Sequence, residues 1–344
     1  MTAGLKILSS GLHTTVQDLG RVGFQHIGVP VSGALDGFSL RLANVLVGNP
    51  QGMAALEILG SGPRFEIAAD TVRLAVAGVG ASLEIRGESS RGMAAGQSVT
   101  AQRGDTLQIV LGRQSACCYV GVEGGIAVPS VLGSASTYVR AGFGGFHGRA
   151  LQRGDFVPLK FPCASEGAEL RAPAPQATSA EEPIRIVLGP QEDYFTPEAM
   201  QLLLAAEFRV SKDADRMGMR LDGPRLCHQR GWDIVSDAIA TGSIQVPGSG
   251  QPIILLADHQ TTGGYPKIAT VISADLPRLG RCRPDDRLRF ASVEPEEADQ
   301  MCRDAEREFA KLVAAIEPAP FDPHLDLGSL YAANLISGVT SGFK

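Results

Sequence analysis

The ten residues Asp258-His259-Gln260-Thr261-Thr262-Gly263-Gly264-Tyr265-Pro266-Lys267 crowd a carboxylate, an imidazole, an amide, two hydroxyls, a glycine pair, a phenol and an ammonium into one stretch. Successive glycines let a ligand approach the backbone closely, so the N–H groups of Gly263 and Gly264, with the Thr261 and Thr262 hydroxyls, can cradle a carboxylate or an oxyanion. Lys267 supplies the counter-charge, and it stands out in a chain with six lysines against twenty-five arginines. Asp258 is a candidate base or orienting acid, and Tyr265 adds a phenol. His259 is either a group that exchanges protons near neutrality or a solvated loop residue. A plain hairpin needs fewer polar groups, and donors converging in this way favour a site.

Two other stretches carry related chemistry. In His13-Thr14-Thr15-Val16-Gln17-Asp18-Leu19-Gly20-Arg21, Gln17 and Asp18 could hold an amide substrate while Arg21 receives a carboxylate through its planar fork. Alternatively Asp18 pairs with Arg21 across a turn capped by Thr14 and Thr15, which residue types favour. In Asp215-Arg216-Met217-Gly218, Arg216 is a candidate anion grip, set against a surface Asp215–Arg216 pair worth under ~1 kcal/mol. Other catalysts are excluded by pattern. No GxxxxGK[ST] loop or GxSxG elbow occurs, so ATP handling by a Walker loop must lie elsewhere. The six histidines never fall at HxxxH or HxH spacing, and no metal site is expected. The six cysteines lack CxxC spacing and read as small buried hydrophobes rather than bridges.

Elements must deliver these groups. The polar loop lies between the apolar runs Ile253–Ala257 and Ile268–Ile272, so one strand should bring the chain in and another take it away. Short β-like runs at 5–8, 71–76, 82–85 and 106–110 predict a sandwich or barrel in the first half. A helix is expected over Leu35–Val47, with Ser32 and Asp36 as possible caps and Gly48 and Pro50 as its stop. Gln102-Arg103-Gly104-Asp105, Gln152-Arg153-Gly154-Asp155 and Arg283-Pro284-Asp285-Asp286 each place a tight turn before a strand, which hints at two related barrels.

The segment 164–183, rich in Ala, Pro, Glu, Ser and Thr, cannot form a core and reads as a linker between a β-rich domain at 1–163 and a second domain at 184–316. In that second domain Thr196 should cap a helix opened by Pro197 and Glu198, and Gly248-Ser249-Gly250 should turn a hairpin. An amphipathic helix over about 295–316 is expected to pack on the second barrel, followed by a tail at 317–344 whose apolar content favours packing. The fold class expected is mainly β with a few helices, in two β-barrel-like domains. At 344 residues, with 31 basic and 37 acidic side chains, the chain shows no basic cluster for nucleic acid. No apolar run approaches the ~18 residues of a membrane span, and the start lacks a signal-peptide pattern, so a cytoplasmic protein is expected.

Several motifs, in order along the chain, resemble those of one family: Thr14-Thr15-Val16-Gln17-Asp18-Leu19-Gly20-Arg21, Gly28-Val29-Pro30, Ser32-Gly33-Ala34-Leu35-Asp36, Asn44 to Pro50 with Leu56-Glu57, and Gln245-Val246-Pro247 followed by Asp258 to Lys267. The family is that of allophanate hydrolase subunit 2, also described as KipI antagonist, biotin-dependent carboxyltransferase and the C subunit of bacterial 5-oxoprolinase. The resemblance implies a cyclophilin-like barrel in the C-terminal half and a partner of the KipI-like, allophanate hydrolase subunit 1 type. It also implies, in 5-oxoprolinases, a third LamB/YcsF-like protein with which a cyclic amide is opened at the expense of ATP. On that reading Lys267, Gly263 and Gly264 hold a carboxylate or carbonyl oxygen. Asp258 and Gln245 orient the amide nitrogen, Thr261 and Thr262 complete the donors, and ATP binds elsewhere in the complex.

An alternative is carboxyl transfer to urea or a related amide from biotin carried on another protein, since no methionine here is followed by lysine. A third is a regulatory protein that neutralises a KipI-like kinase inhibitor. His259 stands where the family pattern has arginine, and Asp285-Asp286 where Pro-Gly-Asp is commoner.

Overall fold

The computed structural model describes residues 3–87, 90–173 and 182–319. Three large sheets account for most of it. In the N-terminal half a six-stranded sheet runs in the order Phe156–Pro158, Gly4–Ser9, Arg64–Ile67, Thr106–Val110, Ser82–Arg86 and Ser90–Ala94. It packs on a seven-stranded sheet in the order His13–Gln17, Ala55–Leu59, Cys117–Val122, Thr71–Ala77, Gln97–Gln102, Leu170–Arg171 and Glu317–Pro318. Alternating side chains put Leu5, Ile7, Phe65, Leu83 and Leu107 of one sheet against Leu56, Ile58, Leu74, Val76 and Val120 of the other in one core, as the period of two requires.

Helix α1 (Gly37–Leu46) covers the outer face of the seven-stranded sheet. It starts where expected: the Asp36 carboxylate accepts from the Ser39 N–H at 3.0 Å and the Ser39 hydroxyl at 2.7 Å, and Gly48 stops it at φ 73°. Because Cys117–Val122 is covered on both faces, every residue in it is buried.

In the C-terminal half eight strands follow the order Arg287–Leu288, Phe208–Ala214, Gly218–Asp222, Ile253–Leu255, Ser243–Gln245, Lys267–Val271, Ile184–Leu188 and Phe290–Ser292. The two edge strands are separated only by Arg289, so the edges meet in one stretch of chain and the sheet nearly closes into a barrel. Ile186, Phe208, Leu221, Ile244, Ile254 and Ile268 fill it. The predicted hairpin around 248–250 joins Ser243–Gln245 to Ile253–Leu255. Thr196 caps α2 (Pro197–Ala205) through the Ala199 N–H, and a short α3 (Leu276–Arg281) follows the strand Lys267–Val271.

The three look-alike turns are one structure used three times. In each, the first residue's N–H donates to the terminal aspartate: Gln102 to Asp105 at 2.8 Å, Gln152 to Asp155 at 2.7 Å and Arg283 to Asp286 at 2.7 Å. In each, the third and fourth residues exchange backbone hydrogen bonds with one strand residue, respectively Ile67, Ile7 and Val210. Gly104 and Gly154 take positive φ at the third position, and Asp285 takes φ 74° there.

Two expectations need correction. The amphipathic helix α4 (Pro295–Ala314) does not pack on the second barrel alone: it lies against the turn Ser273–Asp275 of the C-terminal half, and Phe309 enters the first-half cluster of Leu40, Leu46 and Tyr119 and meets Phe38 edge-on at 5.3 Å. Arg41 reaches Glu306 at 2.6 Å beside that contact. The segment 164–183 is also not wholly without structure: Leu170–Arg171 extends the seven-stranded sheet, Ala172 is buried, and Glu317–Pro318 returns beside it. Residues 174–181 of the expected linker and 320–344 of the expected tail lie outside the described residues. Of the cysteines, Cys117 and Cys118 are buried, whereas Cys163 and Cys227 are exposed.

Candidate functional site

The strand Lys267–Val271 carries Lys267 into the barrel mouth, and antiparallel pairing sets it opposite Gln245. Lys267 is 3% exposed and Gln245 is also buried. The Lys267 ammonium donates to Asp237 Oδ2 at 2.8 Å, and Asp237 itself is half-exposed. Gln191 ties the pair together: its Oε1 accepts from the Lys267 N–H at 3.1 Å, while its Nε2 donates to Asp237 at 3.2 Å. The ammonium's hydrogen bond and charge hold the Asp237 carboxyl below its ordinary pKa.

Asp237 and Ala238 form a two-stranded ribbon with Gly263 and Thr262. Here the glycine pair has a structural use. A Cβ at Gly263 would lie 2.6 Å from the Ile239 side chain and 3.6 Å from Gln245 Oε1, so glycine lets the 229–241 segment lie flat over Gln245 and Lys267. The Thr261 carbonyl accepts from Ile239 N–H and the Gly264 carbonyl from Ile234 N–H. Tyr265 lies outside, its ring 6.3 Å from Trp232. His259 is fully buried rather than solvated. Its Nδ1–H donates to the Gln260 carbonyl at 2.6 Å, leaving Nε2 to accept the Thr241 hydroxyl at 3.1 Å. Burial lowers its pKa, which favours this neutral form.

Asp258 sits at the junction of the two halves, not beside Lys267's ammonium. Both of its oxygens accept from Arg216, at 2.8 and 3.1 Å, and the same guanidinium also donates to Glu57 and, at 2.7 Å, to the Gly33 carbonyl. The expected surface Asp215–Arg216 pair is therefore replaced by a buried triad. Asp215 instead holds the turn between the strands Phe208–Ala214 and Gly218–Asp222, accepting from the Met217 and Gly218 N–H groups. Burial opposes the charge on Arg216, but Glu57 first and then Asp258 override it and hold its pKa above the ordinary value. Glu57 also accepts from the Tyr119 hydroxyl at 2.6 Å and the Leu35 N–H at 2.9 Å. Residues 32–36 thus meet the barrel through Glu57 and Arg216, and Ser32 N–H donates directly to the Ala257 carbonyl at 3.0 Å. In sequence, Glu57 appears within the family-like Leu56-Glu57 motif but with no role assigned to it.

The stretch around Gln17 forms a second polar cluster. Asp18 does not turn onto Arg21; it accepts from the Gly20 N–H, the Ala135 N–H and the hydroxyls of Ser134 and Ser136. The neighbouring side chains cap consecutive carbonyls, Gln17 at Thr137 and Arg21 at Ser136, with Arg21 lying 4.9 Å from the Phe143 ring centroid. Arg21 is 1% exposed, and among the described residues its Nε and Nη1 have no partner, like Gln17 Oε1 and Ser32 Oγ. Burial lowers the Arg21 pKa, offset in part by Asp18 and Asp258. The structure therefore brings Gln245, Thr261, Thr262, Gly263, Gly264 and Lys267 together, joins Arg216 with Asp258 at the junction, and sets Gln17, Asp18 and Arg21 apart in the N-terminal half. Sequence reasoning missed Asp237, Gln191 and Glu57.

Comparison with known proteins agrees with this architecture. The chain is 34% identical to the C subunit of 5-oxoprolinase from Escherichia coli K12 over 90% of its length and 97% of that protein's. It is 33% identical to the Haemophilus influenzae protein of the same name over 87% of its length and 94% of that protein's. Among solved structures, urea amidolyase of K. lactis superposes with a TM-score of 0.82 at 27% identity, covering 90% of this chain but 20% of that one; this chain thus corresponds to about a fifth of that enzyme. No helix among the described residues is long and apolar enough to cross a membrane. The family described as carboxyltransferase domain, subdomain A and B, matches residues 27–292, and the chain belongs to it.

Proposed function

We propose that this chain is the C subunit of an ATP-dependent 5-oxoprolinase-type complex, in which it shares a composite site with a KipI-like subunit. The reaction adds water across the lactam of 5-oxoproline to give glutamate, with ATP converted to ADP and phosphate. The reading rests on the two relatives, matched over nearly their full length, that are named as the C subunit of 5-oxoprolinase. In the site, the carrying observation is Lys267: a buried ammonium facing a half-exposed aspartate, able to take a substrate carboxylate in that aspartate's place. Gln245, buried alongside it, can donate to or accept from a lactam. Thr261 and Thr262 offer hydroxyls at the rim. Asp258, with both oxygens committed to Arg216, acts as a positioning residue for the loop rather than as a base. Tyr265 closes the outer side.

A carboxyltransferase reading is favoured by the family description and by the urea amidolyase likeness. There the same ammonium would face a carboxyl group arriving on biotin from another protein. The deciding experiment is glutamate release from 5-oxoproline with ATP by this chain, a KipI-like protein and a LamB/YcsF-like protein, each omitted in turn. Turnover requiring all three supports the oxoprolinase reading. A well-formed complex without turnover, but active with a carboxybiotin carrier, overturns it.

A further inference from the structure

We propose that residues 229–241 form a lid over Lys267 and Gln245, latched by Asp237, and that a ligand carboxylate opens it by displacing the Asp237 carboxylate from the Lys267 ammonium. Three observations carry this. First, the segment covers buried polar groups with little apolar anchoring. Between 229 and 240 only Ile239 is buried and Ile234 half-buried, while Trp232 is 53% and Val235 92% exposed. A segment held by so few apolar contacts opens at low free energy.

Second, its attachments are mostly polar and concentrated at its two ends: Gln229 and Arg230 tie its start to Tyr194 and Asp193, and Thr241 pairs with His259 at its close. Between them lie Ile234 N–H to the Gly264 carbonyl, Ile239 N–H to the Thr261 carbonyl, the Gln25 amide to the Ile239 carbonyl at 3.4 Å, the short ribbon of Asp237 with Gly263, the two side-chain bonds to Asp237 from Lys267 and Gln191, and the Trp232 ring resting against Gly248. Third, the groups it hides can bind an acid. Lys267 has Asp237 as its ion-pair partner among the described residues, and that partner is a carboxylate on the movable side. The latch therefore holds the ammonium in a carboxylate-binding geometry before any ligand arrives. Removing the lid leaves a buried ammonium without its counter-ion, which is costly, so opening and ligand capture are coupled: the incoming carboxylate must replace the one that leaves.

The substrate class rests on the function proposed above, whereas the lid does not. Trp232, the chain's single tryptophan, sits on the segment, so its emission reports the lid directly. The experiment uses the full chain alone and titrates acetate and 5-oxoproline separately, following Trp232 emission and hydrogen exchange at Ile234 and Ile239. Wild type, Asp237→Asn and Lys267→Gln are compared. In wild type, acetate should shift the emission and speed exchange at both amides, leaving those of Ile184–Leu188 unchanged. Asp237→Asn should exchange faster without ligand and respond at an about fivefold lower acetate concentration, because a competing charge-assisted bond is gone. Lys267→Gln should exchange like Asp237→Asn and ignore acetate.

Wild-type exchange rates in Asp237→Asn would overturn the latch, as would slower exchange at Ile234 and Ile239 on adding acetate. A response to acetate with none to 5-oxoproline would uphold the lid and count against 5-oxoproline as substrate.

Discussion

Arg216 shows how a buried charge can act as a fastening. Glu57, Asp258 and the Gly33 carbonyl converge on it from both halves, and removing the guanidinium leaves two carboxylates buried without compensation. Arg216→Met should therefore destabilise the fold by about 3–5 kcal/mol, read as a lowered urea midpoint. Two histidines, the buried His259 and the half-buried His13, set the pH response. Burial lowers the pKa of both His13 and His259, with Arg216 adding to the effect at His13, from an ordinary value of 6.5. Below that value the unfolded chain takes up protons that the folded chain refuses, so stability is full above pH 6.5 and declines as the pH falls. The slope reaches at most about 1.4 kcal/mol per pH unit for each group. His259→Asn should flatten that decline in a urea-midpoint series from pH 7.5 to 5.5. Of these residues, Lys267 was legible because lysine is scarce and the groups around it are polar. Asp237 was not: it lies thirty residues upstream in a stretch without periodicity, and only the fold brings it to the ammonium. Arg216 was legible as a candidate anion grip, but the carboxylates it holds, Glu57 and Asp258, lie far from it in sequence and only the fold brings them to it.

At the scale of elements, the repeated turn was legible because its chemistry is local: a terminal aspartate accepting from an N–H three residues back, with a left-handed residue between. Asp285 occupies that position at φ 74°, where an L side chain is strained. Asp285→Gly should stabilise the protein by about 0.5–1 kcal/mol, the relief of strain exceeding the added chain entropy; thermal unfolding checks it. Helix α1 and the cap of α2 were likewise legible from short-range signals. The docking of α4 was not, since amphipathicity fixes which face is buried but not against what. The partner surface is made by the turn Ser273–Asp275 together with α1 and the strand holding Tyr119, the last two more than 170 residues earlier in the chain.

At the scale of the whole molecule, α4 spans from the Ser273–Asp275 turn of the C-terminal half to α1, and the strand Glu317–Pro318 then brings the end of the described chain back to the first half, so α4 ties the two halves together. Phe309→Ala should remove that tie at a cost of about 3–5 kcal/mol, seen as a lower unfolding temperature. The mainly β architecture with a barrel-like sheet was legible from strand rhythm and turn chemistry, but the junction was not, because Glu57, Arg216 and Asp258 meet only after both halves have folded. The central claim is that the barrel mouth under residues 229–241 is the carboxylate end of a composite site, with Lys267 as the group that holds the substrate. The most direct test is steady-state 5-oxoproline turnover by the reconstituted complex carrying Lys267→Met. The account predicts a loss of kcat/KM of about 100-fold or more with the complex still assembled; kcat/KM within about threefold of wild type, a difference under ~0.7 kcal/mol, would contradict it.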